Sequence, residues 1–456
     1  MPQNIRYNNM HSYRNLVAGV DTRIPLDNGS YTTGINFDNA ATTPPFLSVI
    51  KEVDSFIPWY SSVHRGKGYK SVVSTNLYEE GRNTIKDFVK ADRDNDTVVY
   101  TKNTTEAINI LACILSQQKN GRDVVLSTWM EHAANDLPWR DKFTVDYIET
   151  DDYGRLSMDN LEDKLKKYKD KVRLVTVTGA SNVTGYLNDI NTIAELAHRH
   201  GAEIHVDGAQ LVPHLPVEMK PYRTASYIDY MSFSAHKMYA PYGSGALIGP
   251  KSTFEKGLPY CQGGSAISLV THNKIWWEEP PHKDEAGTTN LLGIAAMLSA
   301  IKALTSLGMD NIFKHEAALL NYAYEKMKSI PGVTFYSHPE IQETIGVIPF
   351  NVEGVHHSLM SAILSYEAGI AVRNGFFCAH PYCERLLGYS AKDMEDMMKD
   401  PKSIFPGIVR ASFGIYNGFY EIDRFIAFLN QIVLNKKYYV DKYGNARGRY
   451  YIKNEV

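Results

Sequence analysis

The sequence predicts an α/β protein: a large, mostly parallel sheet covered by helices on both faces, followed by a smaller α+β domain. Three observations predict it. From residue 36 to about 290, short β-branched runs alternate with longer stretches of helical period, which implies crossover connections between parallel strands. After residue 291 the texture shifts to two long helical patterns and a few strands. The composition is that of a globular chain, 44% hydrophobic and 22% charged over 456 residues, enough for roughly 2–4 domains.

The elements follow in order. Residues 1–35 are polar and read as an N-terminal arm with one short helix. The run 97–101 reads as a buried strand. Asn103, with Glu106 three residues later, caps the helix that follows it. Further strands are predicted at 123–127, 144–148, 172–177, 203–206, 227–233 and 245–248, with helices over 157–169 and 191–200. These make up a large domain over 36–290. Helices over 291–307 and 310–329 then link to strands at 332–336 and 346–351, a helix over 357–367, strands at 370–373 and 408–413, and a helix over 421–435. This smaller domain, 291–435, carries an insertion at about 384–407 with its own short helix. The tail, 436–456, is tyrosine-rich and predicts no element.

Composition narrows the function. With 51 acidic and 48 basic residues, net charge −3, no broad electrostatic footprint serves nucleic acid or an anionic membrane. Four cysteines are too few for a disulfide scaffold, so any that matter do so as thiols. The start lacks the apolar core of a signal peptide, and no run reaches the ~18–20 apolar residues of a membrane span. A cytoplasmic location is expected, with neither membrane nor nucleic acid as partner.

Four segments carry chemistry. In S-F-S-A-H-K-M-Y-A-P-Y-G-S-G (232–245) a strand ends in small polar residues, then His236 and Lys237, then a glycine-rich turn. Ligands of parallel sheets bind at the carboxyl ends of strands, and a lysine there can form a Schiff base with a carbonyl cofactor. Ser234 and His236 can hold a phosphate. Asp207 directly follows a strand, where a carboxylate can pair with a protonated pyridine nitrogen. Thr104, Thr105 and Glu106 open a helix whose free N–H groups suit a phosphate. His132 also follows a strand and can stack on a ring and exchange protons. Taken singly, each residue has a commoner structural reading; Lys237 and Asp207 together favour the cofactor.

These segments resemble the class V aminotransferase superfamily of pyridoxal-phosphate enzymes, and most closely its group II cysteine desulfurases and selenocysteine lyases. Further matches run in order: F-D-N-A-A (37–41), V-H-R-G (63–66), N-T-T-E-A-I-N (103–109), M-E-H (130–132), S-N-V (181–183), V-D-G-A-Q (206–210), E-A-G-T (285–288), V-R-N-G (372–375) before F-C-A (377–379), and V-R-A-S (409–412). The resemblance spans roughly 36–435. It implies a fold-type I architecture and pyridoxal 5′-phosphate as cofactor. It also implies roles: Lys237 as Schiff-base lysine, Asp207 at the ring nitrogen, Gln210 at the ring oxygen, and His132 stacked on the ring. Thr105, Ser234 and His236 would sit at the phosphate, and Thr288 at the phosphate of a partner subunit in a homodimer. Asn182, Arg410, Arg373 and His64 are the implied substrate-binding residues. Cys378 is the implied nucleophile, its thiolate taking sulfur from cysteine to leave alanine and an enzyme persulfide for a sulfur-acceptor protein.

The sequence departs from that pattern at Phe376 and Phe377, where the best-known group II members carry two histidines, and in the insertion, which reads as a lid or a docking surface. Another class V reaction (epimerase, aminotransferase or C–S lyase) is the alternative, and a non-catalytic relative of the fold is a third. Cys378, His380 and Cys383 lack a visible fourth ligand and a zinc-type spacing, so no metal is expected. Cys113 and Cys261 read as structural.

Overall fold

The protein, a computed structural model, is described over residues 13–64, 66–118, 120–151, 153–220, 224–337, 344–401, 403–446 and 449–453. The predicted arm contains a hairpin of β1 (Arg23–Pro25) and β2 (Tyr31–Thr33), followed by β3 (Ile35–Asn36). It is pinned by Arg14, whose guanidinium bonds Glu421 at 3.0 Å and Asp21 at 2.8 Å.

Seven strands form the central sheet: β4 (Asp96–Thr101), β5 (Val124–Thr128), β6 (Thr144–Ile148), β7 (Val172–Thr178), β8 (Glu203–Asp207), β9 (Tyr230–Ser234) and β10 (Gly245–Pro250). Their order is β4-β10-β9-β8-β7-β5-β6. Only β10 runs antiparallel to its neighbours. β7 and β9 are buried throughout, as strands covered on both faces must be. The Asn103 cap behaves as its sequence predicts, accepting from the Glu106 N–H at the start of helix Thr104–Gln117; Ser157, placed within the predicted helix 157–169, is the cap of Met158–Tyr168. The strand expected at 227–233 begins only at Tyr230. Two helices were not foreseen, Leu47–Phe56 and Tyr69–Phe88; both pack against the apolar helix Leu291–Leu307. A further unforeseen hairpin, β11 (Ile267–Val270) with β12 (Ile275–Trp277), exposes Leu269, Val270 and Ile275.

In the smaller domain β13 (Val333–Phe335), β14 (Val347–Val352), β16 (Arg373–Gly375) and β17 (Ile408–Ser412) form an antiparallel sheet of order β13-β14-β17-β16. The expected strand at 370–373 is two pieces, because the chain changes partner at Val372. β15 (Ile370–Ala371) pairs with β3, and β16 pairs with β17. The expected insertion has two helices, not one, and the first begins before it. His380–Leu387 is docked on the large domain: Tyr382 donates to the Gly154 carbonyl at 2.6 Å, and Arg385 bonds the Thr150 carbonyl at 2.6 Å. Gly154 has φ 84, and a Cβ there would lie 2.5 Å from the Tyr382 hydroxyl, so this contact requires glycine. Ala391–Lys399 follows behind a Ser390 capping box. The tail also has structure, a helix Lys436–Lys442 and a hairpin of β18 (Tyr443–Ala446) with β19 (Arg449–Ile452). No single described helix is long and apolar enough to cross a membrane. The pair Leu291–Leu307 and Met309–Met327 passes only together, bent by 78°.

Candidate active site

The carboxyl edge of the central sheet gathers the loops after β5, β7, β8 and β9. Lys237 ends the single turn Ala235–Lys237 after β9. Burial pushes its amine down to about 8; Asp207 and the Cys378 thiol oppose that shift, and Arg410 adds to it. Among the described residues the amine has no hydrogen-bond partner. Asp207 closes β8, buried, and accepts the Ala209 N–H at 2.9 Å. Burial raises its carboxyl, against the Ala209 N–H and the Lys237 charge. Gln210 donates to the Ala40 carbonyl at 2.7 Å, which leaves its Oε1 buried and unpartnered. His132 caps the turn Ala133–Asn135 and accepts the Ala134 N–H on Nδ1 at 3.1 Å, so its proton sits on Nε2. Burial, then the charges of Lys237 and Arg410, hold the ring near 4, hence neutral.

At the start of helix Thr104–Gln117 the Ser234 hydroxyl accepts the Thr104 N–H at 2.8 Å and lies 2.7 Å from its hydroxyl, so Ser234 is engaged with the first residue of the helix. Thr105 lies exposed in the first turn, and lines a cleft of about 480 Å³ with Asn109, His132 and Cys378. His236 is also neutral, held near 4 by burial and by Lys237, with Nδ1 3.2 Å from the Thr42 hydroxyl.

Arg410 is buried on β17. It donates to the Asn182 carbonyl at 2.8 Å and to Asp38 at 3.1 Å, and its guanidinium lies 4.8 Å from the Phe377 ring centroid. Its Nε is buried without a partner. Arg373 is exposed, 3.7 Å from the other Asp38 oxygen. Asp38 thus ties the two arginines, a role with no local sequence signal. Asn182 donates to the Phe377 carbonyl at 2.8 Å. Phe377 and Cys378 both take left-handed backbone, φ 51 and 58, at a cost of ~1–2 kcal/mol each for non-glycine residues. The Cys378 carbonyl accepts the Ala133 N–H at 2.7 Å, which binds the thiol loop to the His132 turn. Cys378 is exposed, whereas Cys383 is buried and bonds the Phe376 carbonyl at 3.4 Å.

Beneath this surface lies a buried polar network. Glu131 accepts the Thr128 hydroxyl at 2.6 Å, the Thr178 N–H at 2.9 Å and the Asn135 amide at 2.6 Å. Asn135 Oδ1 in turn accepts the Thr176 hydroxyl at 2.7 Å and the Trp139 indole at 3.3 Å. Thr176 then accepts from His205 Nδ1, whose Nε2 takes the Ser232 hydroxyl. The E of M-E-H was the only sequence sign of it. Two expected residues lie apart. Thr288 is exposed in another pocket with Cys261 and Lys102, and His64 lies beside Tyr78, Glu79 and His282.

A half-buried lysine, a buried carboxylate, a neutral histidine and an orphaned amide oxygen around one edge are groups that could receive a phosphorylated pyridine aldehyde. The profile of the aminotransferase class-V family matches residues 35–425. The chain is 34% identical over 417 residues to a cysteine desulfurase of Haloferax volcanii, covering 90% of this chain and 92% of that protein. It is 35% identical over 402 residues to a probable cysteine desulfurase of Staphylococcus aureus, covering 86% and 91%. Among solved structures, an apo cysteine desulfurase from Thermococcus onnurineus superposes with a TM-score of 0.78 at 30% identity, covering 88% and 95%. The cysteine desulfurase CsdA of Escherichia coli, an S-sulfonic acid form, does so with 0.77 at 26%, covering 94% and 98%.

Proposed function

The chain belongs to the aminotransferase class-V family, and from that premise we propose that it is a pyridoxal-phosphate cysteine desulfurase with Cys378 as nucleophile. The observation that carries this reading is the group of side chains at one edge: Lys237 lies half-buried within the field of Asp207, Arg410 and Cys378. Lys237, Asp207, Gln210, His132, Ser234, His236 and Thr105 would hold the cofactor. Bound there, it supplies a covalent carbonyl for the substrate amine and an electron sink for its α-carbon.

The chain's own residues do the rest. Arg410 has a buried Nε free to receive the cysteine carboxylate, with Arg373 at the exposed rim. Lys237, with an amine held near neutrality, can take and return a proton at the substrate α-carbon. His132 offers an Nε2 proton toward a ring. The Cys378 thiolate attacks the substrate sulfur, the substrate C–S bond breaks, and protons restore a methyl group, so cysteine and enzyme thiol become alanine and enzyme persulfide. Exposure of Cys378 and four free thiols suit hand-off to an acceptor protein in a reducing cytoplasm. Thr288, exposed and away from Lys237, fits a homodimer in which each subunit completes the other's phosphate site.

The test is the product mixture. Purified protein given cysteine is expected to release alanine and carry persulfide. Cys378→Ser abolishes both, and Cys383→Ser keeps both, its thiol being buried and its pKa raised. Full alanine release by Cys378→Ser refutes the nucleophile. A visible cofactor band that survives in Lys237→Ala refutes the lysine.

A further inference from the structure

We propose that His64, Glu79 and His282 form a site for a borderline divalent transition ion of the zinc type. The three come from distant parts of the chain. His64 precedes helix Tyr69–Phe88, Glu79 lies on that helix, and His282 opens the turn His282–Asp284. Their ligand atoms all lie within 4.8 Å of one another.

The distances separate metal from hydrogen bonding. His64 Nδ1 lies 3.4 Å and His282 Nε2 3.5 Å from the same oxygen, Glu79 Oε1. Good N–H···O bonds are ~2.7–3.2 Å. Two ligands held at ~2.0–2.1 Å in a tetrahedron stand ~3.3 Å apart, as these pairs nearly do. Each half of the carboxylate has its own task. Arg82 faces Oε2 at 3.5 Å, which leaves Oε1 to the two histidines. Arg82 itself is neutralised by a buried fork to Glu285, with both contacts at 2.8 Å. The unbalanced charge of the cluster is therefore the carboxylate of Glu79.

The scaffold is firm. The His64 backbone N–H bonds the Thr75 hydroxyl at 3.0 Å, which fixes a left-handed φ of 71. Its ring packs edge-on to Tyr78 and stands nearly perpendicular to His282, with centroids 4.6 Å apart. The three side chains are 27%, 37% and 29% exposed, so a fourth coordination position opens to water. Two imidazoles and one carboxylate favour zinc, cobalt or iron over calcium or magnesium. The ion would clamp the loop before the helix to the segment that leads to Thr288. The expectation of no metal concerns the run around Cys378, where Cys383 is buried and bonds a carbonyl; His282 stands more than 200 positions from both His64 and Glu79, so no local spacing signals this cluster.

The holoenzyme, dialysed against chelator, is titrated calorimetrically with zinc chloride. One site per chain is expected, weakened roughly 100-fold or more in His282→Ala, beyond the ~10–100-fold that outer partners are worth. Glu79→Gln, a near-isosteric change, gives the same loss if the alanine variant folds poorly. Cobalt in place of zinc is expected to add ligand-field bands with no sulfur-to-cobalt charge transfer. Equal affinity in wild type and both variants overturns the site. So does the absence of a tight site in wild type, or a charge-transfer band that assigns the ion to cysteine. Each readout is binding, independent of desulfurase activity.

Discussion

Glu131→Gln tests the network beneath His132. The glutamate is fully buried and faces only donors: the Thr128 hydroxyl, the Thr178 N–H and the Asn135 amide. A glutamine sets one of its own N–H groups against either Thr178 or Asn135. Asn135 cannot turn to accept, because its oxygen already serves Thr176 and the Trp139 indole. Against the ionised carboxylate, one buried donor is left without a partner, a cost of ~1–3 kcal/mol. For a chain of 456 residues the unfolding entropy makes this roughly 1–3 °C in melting temperature. The pH dependence adds a sign. Burial raises the Glu131 carboxyl to about 8, so the native state binds a proton that the unfolded chain has released, from the ordinary carboxylate range up to about 8. In that window wild-type stability falls as pH rises, by at most roughly 5 kcal/mol over the full span. Glutamine has no such dependence. Below about pH 8 the wild-type acid carries a proton that meets the same donors, so the variant matches wild type near pH 5 and gains on it toward pH 8.5. Melting of the holoenzyme across that range reads it directly. A variant that fails to gain on wild type as pH rises refutes the reasoning.

Two other substitutions address the substrate side and the docked helix. Arg410→Lys loses the planar fork that spans the Asn182 carbonyl and Asp38; the KM for cysteine should rise ~10–100-fold in steady-state kinetics, the size of a lost charge-assisted pair. Tyr382→Phe removes the bond to the Gly154 carbonyl and the contact with Thr184. A cost of ~1–3 kcal/mol should appear as faster hydrogen exchange confined to His380–Leu387 and a lower persulfide yield.

Local signals in the sequence were read well and distant ones were not. Asn103 announced its helix because a cap and the group it satisfies lie three residues apart. Helix Tyr69–Phe88 escapes because Ser71, Ser74, Gly81, Arg82 and Lys86 interrupt its buried face, leaving Tyr78 and Ile85 as its only fully buried apolar side chains, too thin a stripe to read by period. The Lys237 and Asp207 segments were legible because strand, turn and functional residue are contiguous. Asp38 was not, since its partner Arg410 lies 372 positions away. The contact of Ser234 with Thr104 shows the same limit: the motif locates the helix start, but the packing of β9 brings the two hydroxyls together across 130 positions. The insertion at about 384–407 carries no sign that its first helix begins at His380 or docks, because the anchors of that helix, Gly154 and Thr150, lie more than 220 positions away.

The tethered thiol loop has a consequence for how sulfur can leave. The carbonyl of Phe377 is bonded by Asn182 and that of Cys378 by Ala133, so the backbone at the nucleophile is held on both sides. In the proposed reaction the sulfur's travel is limited to the swing of one short side chain, a matter of rotamers. Turnover then asks the recipient to do the moving: an acceptor thiol must come down to the loop, and crowding of that approach, not loop opening, would set how quickly the enzyme is unloaded.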